Sequence, residues 1–396
     1  MNRRALLAAY GAALSAGCSG WSPLGGPVGS GCDIADEVPG DTEWGSARGD
    51  THNTASTPAD RTPAPPLSTS WTFSIPGVTG MPTPTVVEDT VFTTDMDTTV
   101  FAIDAESGDQ RWQTAVDGPE SAVVVVDGTA VVTSDEGVVS LDAADGSERW
   151  RTEIPPTYNT SPLVAEGAVY VPSDLSLVAL DTDTGEERWR YTTGLETEAP
   201  PAVADGTVFF GDGDAYVYAL DAVDGSERWR FKTRGSVECP PAIVGETVYA
   251  GSNDGRVYAI DAATGERRWS HETDGRIEAL AVGHGSVYAG TDQRLHAVRR
   301  SSGERCWRSD RYVSQYTGGP AVGGGYVYAS TGRSGGDTDL RETAVGAFDA
   351  ATGELVWRFG PAENRQVDLG PAIANGALFA AGGGAGNLEV ARLDPK

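Results

Sequence analysis

The sequence predicts an all-β fold, an eight-bladed β-propeller whose blades each contain four antiparallel strands. Three observations support this prediction. A hairpin motif occurs seven times, the Trp that ends it recurs about every 40 residues, and the Trp strand missing from the C-terminal repeat is found near the N-terminus. A period of about 40 residues built from short strands is typical of propellers.

The repeated motif is a tight hairpin, represented by VYAIDAATGERRW at 257–269. Every copy has Gly four residues before its Trp, and six of seven have Asp eight residues before it, Arg299 being the exception. The Asp carboxylate can accept backbone N–H groups within the turn, and Gly supplies a positive φ at no steric cost. Each Trp is expected to cover the flank of the neighbouring repeat. These structural residues are Trp71, Trp112, Trp150, Trp189, Trp229, Trp269, Trp307 and Trp357.

Two further strands precede each hairpin, and the ends of the chain complete the last blade. The stretch PPAVADGTVFFGDGDAYVYALD at 200–221 predicts an innermost strand, a D-G turn, a second strand and a third. Eight such innermost strands occur, but the eighth repeat stops at VARLDPK without its Trp strand. We expect the strand of Trp71 to pair with the strand ending at Asp394, which leaves no free sheet edge.

The pattern V-Y-A-[IL]-D-A-x-[TD]-G-[ES]-x-R-W resembles the PQQ-like β-propeller repeat over residues 70–396. That family includes quinoprotein dehydrogenases and the propeller lipoprotein of the bacterial outer-membrane barrel assembly machine. The chain also resembles haloarchaeal PQQ-repeat lipoproteins. The resemblance implies the fold, but one fold hosts many functions, so it does not imply a bound quinone.

Composition narrows the class of partner. The formal net charge is −28 with a pI near 4.4, and the only lysines are Lys232 and Lys396. Such a balance resembles the proteins of extreme halophiles; an acidic secreted protein is the alternative. Nucleic acid is excluded as an expected partner because its binding depends on basic side chains that meet phosphates.

The N-terminus predicts export. Residues 1–17 contain paired Arg3 and Arg4 followed by an apolar run too short to span a bilayer, which is typical of a signal peptide and compatible with twin-arginine export. SAGC resembles a lipobox with Cys18 as the lipid acceptor; the alternative is plain cleavage and secretion. Residues 18–69 are predicted to be a lipid-anchored tether and lead-in to the propeller at 70–396.

The search for catalytic residues finds little. The four His show no metal-ligand spacing, and no nucleophile elbow or Walker loop occurs. Quinoprotein dehydrogenases typically have an adjacent Cys pair, which this chain lacks, so PQQ is not expected as a cofactor. No cysteine pair predicts a disulfide framework, and Cys306 is predicted to be a small buried apolar residue.

The remaining candidate site is the mouth of the central channel. The loop before each innermost strand places one residue there per blade; in chain order these are Met81, Glu120, Asn159, Glu198, Glu238, Glu278, Thr317 and Asp368, with a one-residue gap at Glu278. Oxygen ligands suit Ca²⁺, so a cation site is a hypothesis for Glu120, Asn159, Glu198, Glu238, Glu278 and Asp368. The alternative is an acidic surface without a bound metal.

Together these features predict a non-catalytic binding or scaffold propeller, monomeric and displayed on the outer face of the cell membrane by its lipid anchor. Its partner is an unidentified protein or surface ligand. No cofactor is expected apart from the hypothetical Ca²⁺. The alternative is a quinoprotein-type or metal-dependent dehydrogenase that uses the central channel.

Overall fold

The structure, a computed structural model, describes residues 50, 53, 55–76, 82–95, 97–119, 121–155, 160–310, 319–331, 344–359, 371–384 and 387–396. In this part of the chain the strands form eight sheets, which confirms the predicted eight-bladed propeller. The innermost strand of the first blade contacts those of the second and eighth blades, so the sheets close into a ring.

The first half of the ring follows a short N-terminal strand, one 3₁₀ turn and the strand that closes the ring. These first elements are β1 (Ser56–Thr57), the 3₁₀ turn (Ala59–Arg61) and β2 (Leu67–Pro76). Blades 1 and 2 contain β3 (Thr85–Val87), β4 (Thr90–Thr94), β5 (Thr99–Asp104), β6 (Gln110–Ala115), β7 (Val124–Val126), β8 (Thr129–Ser134), β9 (Gly137–Asp142) and β10 (Glu148–Thr152). Blades 3 and 4 contain β11 (Leu163–Ala165), β12 (Ala168–Ser173), β13 (Ser176–Asp181), β14 (Glu187–Thr192), β15 (Ala202–Ala204), β16 (Thr207–Gly211), β17 (Tyr216–Asp221) and β18 (Glu227–Lys232).

The second half repeats the arrangement. Blades 5 and 6 contain β19 (Ala242–Val244), β20 (Thr247–Ser252), β21 (Arg256–Asp261), β22 (Arg267–Glu272), β23 (Ile277–Gly283), β24 (Ser286–Thr291), β25 (Leu295–Arg299) and β26 (Arg305–Arg308). Blades 7 and 8 contain β27 (Ala321–Gly323), β28 (Tyr326–Thr331), β29 (Ala344–Asp349), β30 (Leu355–Phe359), β31 (Ala372–Ala374), β32 (Ala377–Gly384) and β33 (Asn387–Pro395).

The ring closes between the two ends of the chain. Strand β2 pairs antiparallel with β33 along its whole length, from Leu67 opposite Pro395 to Pro76 opposite Asn387. Trp71 lies opposite Arg392, so the closing strand occupies the place of the missing Trp strand, as the sequence predicted. Blade 8 therefore has the order β2-β33-β32-β31, and β2 covers the edge that β33 would otherwise leave unpaired.

Antiparallel pairing gives the ring two distinct faces. The turns between first and second strands and the hairpins between third and fourth strands lie on one face, called here the hairpin face. The turns between second and third strands and the loops to the next blade lie on the opposite face, called here the mouth face. The D-G turns of the hairpin face have positive φ at both central residues, as at Asp205 (48°) and Gly206 (66°), which is the conformation of a type I′ turn.

Each repeated Trp joins its blade to the next. The indole Nε1 of seven of them donates to a backbone carbonyl in the following hairpin, at 2.8–3.1 Å. The ring also covers the Gly of that hairpin: a Cβ at Gly225 would lie 2.7 Å from Cδ2 of Trp189. Gly is therefore required there both for its φ of 72° and for the close approach of the indole.

The repeated Asp has two partners, which explains its place in the motif. In blade 5, Asp261 Oδ1 accepts the backbone N–H of Thr264 at 2.9 Å, and Oδ2 accepts from Arg268 at 2.7 Å. Arg268 is the residue before the blade Trp, and the same Asp–Arg pair occurs in blades 1 to 4. These pairs are partly exposed to solvent, so their role is to fix the turn more than to stabilise the fold.

The sixth repeat changes both members of this pair together. Arg299 stands in the Asp position and Cys306 in the Arg position, so two cations never face each other. Cys306 is buried, as predicted, but it is disulfide-bonded, whereas no cysteine pair in the sequence indicated a disulfide. Its partner lies outside the described residues, whereas Cys239 is buried and is a thiol outside any disulfide. The partner was hidden from motif reasoning because Cys306 has no cysteine near it in sequence.

The core lies between neighbouring blades. The three inner strands of each blade are almost wholly buried, whereas the outer strand alternates exposed and buried residues around its Trp. Aromatic contacts recur at equivalent places, such as Phe209 against Trp229 and Tyr249 against Trp269, with ring centroids 5.8 and 5.9 Å apart. These pairs join the second and fourth strands of the same blade.

Candidate functional site: the central channel and the mouth face

The central channel contains part of the chain itself. Residues 50, 53 and 55–66, called here the N-terminal segment, were assigned to the tether from sequence, but they lie against the innermost strands of the ring. Asp50, Asn53 and Ala55 are buried, at 6%, 2% and 0% exposure. Residues 50, 53 and 55–57 thus belong to the packed interior, whereas the 3₁₀ turn that follows has no buried residue.

Asn53 connects two blades at the mouth end of the channel. Its side-chain amide donates to the carbonyl oxygen of Pro201 at 2.9 Å and to that of Pro241 at 3.1 Å, just before the innermost strands of blades 4 and 5. An amide has two N–H donors, so both carbonyls are satisfied by one side chain. Its φ of 54° lies in the left-handed region, which Asn tolerates better than most residues.

The N-terminal segment then runs along blades 7 and 8. Strand β1 pairs parallel with β27, Ser56 opposite Val322, and makes blade 7 a five-stranded sheet. Thr57 Oγ1 donates to the carbonyl of Ile373 in blade 8 at 3.2 Å. The segment leaves at the hairpin face, where the carbonyl of Arg61 accepts the N–H of Gly376 at 3.0 Å. It therefore passes through the channel from the mouth face to the hairpin face.

The structure describes three of the six predicted ligand residues. Glu198, Glu238 and Glu278 precede or begin the innermost strands of adjacent blades, and the charge of Glu238 acts on both of the others. Glu120, Asn159 and Asp368 lie outside the described residues, as do Met81 and Thr317. The gap needed at Glu278 corresponds to an irregularity in strand pairing between Ile277 and Ala279.

Glu278 is the most perturbed of the three. Burial raises its pKa to about 7; Arg276 opposes the rise, and Asp292 and Glu238 add to it. Its Oε1 lies 3.5 Å from Arg276, whereas Oε2 is buried and has no hydrogen-bond partner. Burial also raises the pKa of Glu198, with further contributions from Glu238 and Glu196.

These carboxylates are relevant to both cofactors considered from the sequence, Ca²⁺ and PQQ. Among the described residues, no group of three or more His, Cys, Asp or Glu side chains could hold a metal ion. The Ca²⁺ site thus stays a hypothesis, because half of its predicted ligands are not described. A tricarboxylate quinone needs cationic donors, whereas Glu198, Glu238 and Glu278 supply carboxylates, so these three side chains do not fit it.

A second polar cluster, in blade 6, was missed from sequence. Asp274 Oδ1 lies 2.6 Å from Nε2 of buried His296, and Oδ2 accepts from Arg308 at 2.9 Å. Burial acts to raise the pKa of Asp274, but His296 and Arg308 outweigh it and lower the pKa. No motif signalled this cluster because its members come from a loop and two different strands.

None of the helical structure in the described residues is long and apolar enough to cross a bilayer.

Known structures share the propeller. BamB from Moraxella catarrhalis matches with a TM-score of 0.66 and 21% identity, over 83% of this chain and 98% of that chain. Quinohemoprotein alcohol dehydrogenase from Comamonas testosteroni matches with a TM-score of 0.71 and 16% identity, over 91% of this chain and 81% of that one. At these identities the likeness shows the fold alone.

One curated protein resembles a short part of the sequence. Lupanine 17-hydroxylase [cytochrome c] from a Pseudomonas species is 38% identical over 84 residues, which is 20% of this chain and 12% of that protein. The chain therefore spans only a small fraction of the length of this relative.

The family match is much broader. The family described as outer membrane protein assembly factor BamB matches residues 67–199 and 176–344, which together include more than half of the chain. The matched stretches run from the closing strand β2 into blade 7, so they follow the blades seen in the structure. The chain belongs to this BamB-type family of PQQ-like propellers.

Proposed function

We propose that this chain is a non-catalytic binding or scaffold propeller, exported and held at the outer face of the membrane by a lipid on Cys18. The observation that carries the proposal is the N-terminal segment inside the channel. In a ring-shaped enzyme the channel is where a cofactor and substrate would bind, but here its wall is bonded to Asn53 and to β1. The carboxylates at the mouth further disfavour an anionic quinone.

The disulfide at Cys306 supports an extracytoplasmic location. Disulfides persist in oxidising compartments and are rare in the cytosol, where thiols are kept reduced. The sequence of residues 1–18 independently indicates export. One acyl chain gives only marginal membrane binding, so the modification at Cys18 must supply more than one chain.

The catalytic question is tested by reconstitution. The purified full-length protein is titrated with PQQ and Ca²⁺ and assayed by absorbance and by reduction of an artificial dye with alcohols as substrates. A quinohemoprotein alcohol dehydrogenase treated in the same way is the positive control. We expect neither a shift in the quinone spectrum nor dye reduction; quinone-dependent dye reduction would reject the proposal.

The alternative function is a quinoprotein-type dehydrogenase. It is favoured by the local similarity to lupanine 17-hydroxylase and by the fold shared with the quinohemoprotein alcohol dehydrogenase. It requires the quinone to bind at a mouth rich in carboxylates, or the N-terminal segment to leave the channel. The same titration decides between the two functions.

The cysteines test the anchor. If Cys18 is the lipid acceptor, Cys32 is the cysteine left to pair with Cys306, because Cys239 is a thiol outside any disulfide. We expect non-reducing peptide mapping to recover a Cys32–Cys306 peptide, and Cys18→Ser to release the protein from membranes. A Cys18–Cys306 peptide, or wild-type protein in the medium, would contradict the anchor.

A further inference from the structure

The hairpin of blade 6 differs in charge from the hairpins of the other six repeats. Residues 295–308 contain four Arg and one Glu, a formal charge of +3, whereas the fourteen equivalent residues of the other repeats carry charges between 0 and −2. Part of the change lies at Arg299 and Arg300, where five of the other six repeats have Asp-Ala. Blade 6 therefore presents a local positive charge in a chain whose net charge is −28.

A cleft lies beside this hairpin, on the hairpin face between blades 5 and 6. Its volume is about 320 Å³, and the residues that line it include Thr247, Tyr249, Arg268 and Trp269 of blade 5 and Arg300 of blade 6. Sites for small molecules have volumes of about 300–1,000 Å³. The cleft is therefore large enough for one small molecule.

The two guanidinium groups of the cleft differ in their partners. Arg268 donates to Asp261 and to Thr247, both at 2.7 Å, and these bonds hold its side chain in place. Arg300 forms no ion pair with any residue that the structure describes. Because a guanidinium has five N–H donors, Arg300 retains donors for a ligand, and Arg268 has N–H groups that its two bonds do not use.

Tyr249 shows that both positive charges act at the same place. Burial raises the pKa of its hydroxyl, whereas the hydrogen bond with Thr247 and the charges of Arg300 and Arg268 act to lower it. Both guanidinium groups are thus close enough to this hydroxyl to affect its ionisation. An anion in the cleft beside Tyr249 would be attracted by both cations.

The equivalent cleft between blades 2 and 3 provides an internal comparison. Its volume is about 270 Å³, but Thr182 and Asp183 stand in the places of Arg300 and Ser301. The two Arg side chains that line it both pair with the Asp of their own hairpins, at 2.7 and 2.6 Å. The fold therefore forms the cleft without Arg300, so the additional cation needs another explanation. Contact with an anionic ligand is such an explanation.

The other walls of the cleft indicate the kind of anion. Trp269 is half-buried, whereas the repeated Trp residues of blades 1 to 4 are buried, so part of its indole is accessible to a ligand. Glu246 also lines the cleft and lies 3.5 Å from Arg268. Its negative charge repels a phosphate dianion more strongly than a carboxylate, which carries a single charge.

We propose that the cleft between blades 5 and 6 binds a small organic monocarboxylate, with Arg300 and Arg268 at the carboxylate and Trp269 against the apolar part. A planar carboxylate accepts paired N–H bonds from a guanidinium, and an indole supplies apolar contact area. This site lies on the opposite face from the channel mouth and goes beyond the proposed function, which does not depend on it.

The probe is 2-naphthoate, and three matched compounds accompany it. 2-Naphthamide removes the charge, acetate removes the aromatic part, and 2-naphthyl phosphate replaces the carboxylate with a phosphate. Binding to the full-length protein is measured by isothermal titration calorimetry at a constant KCl concentration in a buffer without carboxylates.

Two Arg variants separate the site from the general charge of the hairpin. Arg300→Ala introduces the residue that five sister repeats have at this position, so the variant is expected to fold. Arg305→Ala is the control, because it removes the same charge from an exposed position of the same hairpin that does not line the cleft. A second variant, Arg300→Thr with Ser301→Asp, copies the cleft of blades 2 and 3.

We expect 2-naphthoate to bind the wild type and the Arg305 variant with equal affinity. Arg300→Ala should bind it roughly tenfold or more weakly, because a hydrogen bond between charged groups is lost. The double variant should not bind it measurably, since Asp at position 301 adds repulsion to that loss. 2-Naphthamide and acetate should both bind more weakly than 2-naphthoate.

Four outcomes would overturn the proposal. The first is that millimolar 2-naphthoate does not bind the wild type, and the second is that it binds both Arg300 variants as tightly as the wild type. The third is equal or tighter binding of 2-naphthamide, and the fourth is tighter binding of 2-naphthyl phosphate. The quinone titration is independent: dye reduction rejects the proposed function, whereas any of these four outcomes rejects only this site.

Discussion

The hairpin face and the mouth face are built from the same repeat, but they differ in how far their polar groups are satisfied. On the hairpin face, Asp261 and its equivalents in blades 1 to 4 each pair with turn N–H groups and an Arg. On the mouth face, Glu278 Oε2 and Asp292 Oδ1 are buried without a partner, and these are the only such carboxylate oxygens among the described residues. The difference teaches that residues repeated in every blade maintain the ring, whereas residues that vary between blades are free to serve recognition.

The largest loss of stability is expected from a substitution on the hairpin face, whose repeated residues maintain the ring. Trp229→Ala removes a buried indole that covers Gly265 and donates to Ala262, and it should cost about 3–5 kcal/mol of unfolding free energy. Trp357→Ala should cost less, because this Trp is only half-buried and no complete hairpin follows it. Denaturant unfolding measures both; equal costs would contradict the hairpin-covering role.

Two glycines of the hairpin face separate steric contact from backbone strain. Gly225→Ala places a Cβ 2.7 Å from Trp189 at a φ of 72°, and it should cost about 2–3 kcal/mol. Gly206→Ala has a similar φ of 66° but no atom nearer than 4.0 Å, so only strain of about 1 kcal/mol is expected. If the two variants unfold at the same denaturant concentration, the indole contact does not constrain the hairpin.

The next largest loss of stability is expected when the hydrogen bonds of Asn53 in the channel are removed. Asn53→Ala leaves the carbonyls of Pro201 and Pro241 without their donor and should cost about 1–3 kcal/mol. Ser70→Ala, which removes an exposed hydrogen bond to Asp394, should change stability by less than about 0.5 kcal/mol. Thermal unfolding of the two variants is compared, and an unchanged midpoint for Asn53→Ala would show that the N-terminal segment does not hold the ring.

The smallest expected effect is a pH-dependent change in stability, and it differs between the two faces. The folded pKa of Glu278 is raised to about 7 above its ordinary value of 4.5, so its burial penalty is absent at low pH and develops as pH rises from about 4.5 to 7. Glu278→Gln should therefore stabilise the protein by about 1 kcal/mol at pH 8, after allowance for solvent screening, and have little effect at pH 4.5.

The hairpin face should respond in the opposite direction. The pKa of Asp261 is lowered to about 2, chiefly by Arg268, so the stability that it contributes is lost as pH falls from about 3.8 towards 2. Asp261→Asn should destabilise the protein at neutral pH and have less effect at pH 2. Melting curves across this range check both residues, and parallel profiles would contradict the distinction between the faces.

The ring could be predicted from the sequence because the same motif occurs in repeat after repeat. The Asp, Gly and Trp of the hairpin act within about a dozen residues or on the adjacent blade, so their spacing predicts their contacts. The places of Glu198 and Glu238 ahead of their innermost strands follow in the same way from the alignment of the repeats, whereas the cation site stays a prediction.

The contacts that the sequence did not predict are made by residues that do not belong to the repeated motif. Asn53 reaches Pro201 and Pro241 across 148 and 188 residues of chain, and nothing in its surroundings indicates those partners. The Asp274–His296 contact and the disulfide at Cys306 likewise depend on how the blades come together. Such contacts require the three-dimensional arrangement.

The direction of the N-terminal segment determines how the ring would respond to mechanical force. A pull applied ahead of residue 50 first reaches Asn53 and β1, and only afterwards the closing strand β2. Because these residues bond to blades 4, 5, 7 and 8, the load is shared across much of the ring. Tension in the tether would thus be applied along the axis of the propeller, and the seam between the first and last strands would be shielded from it.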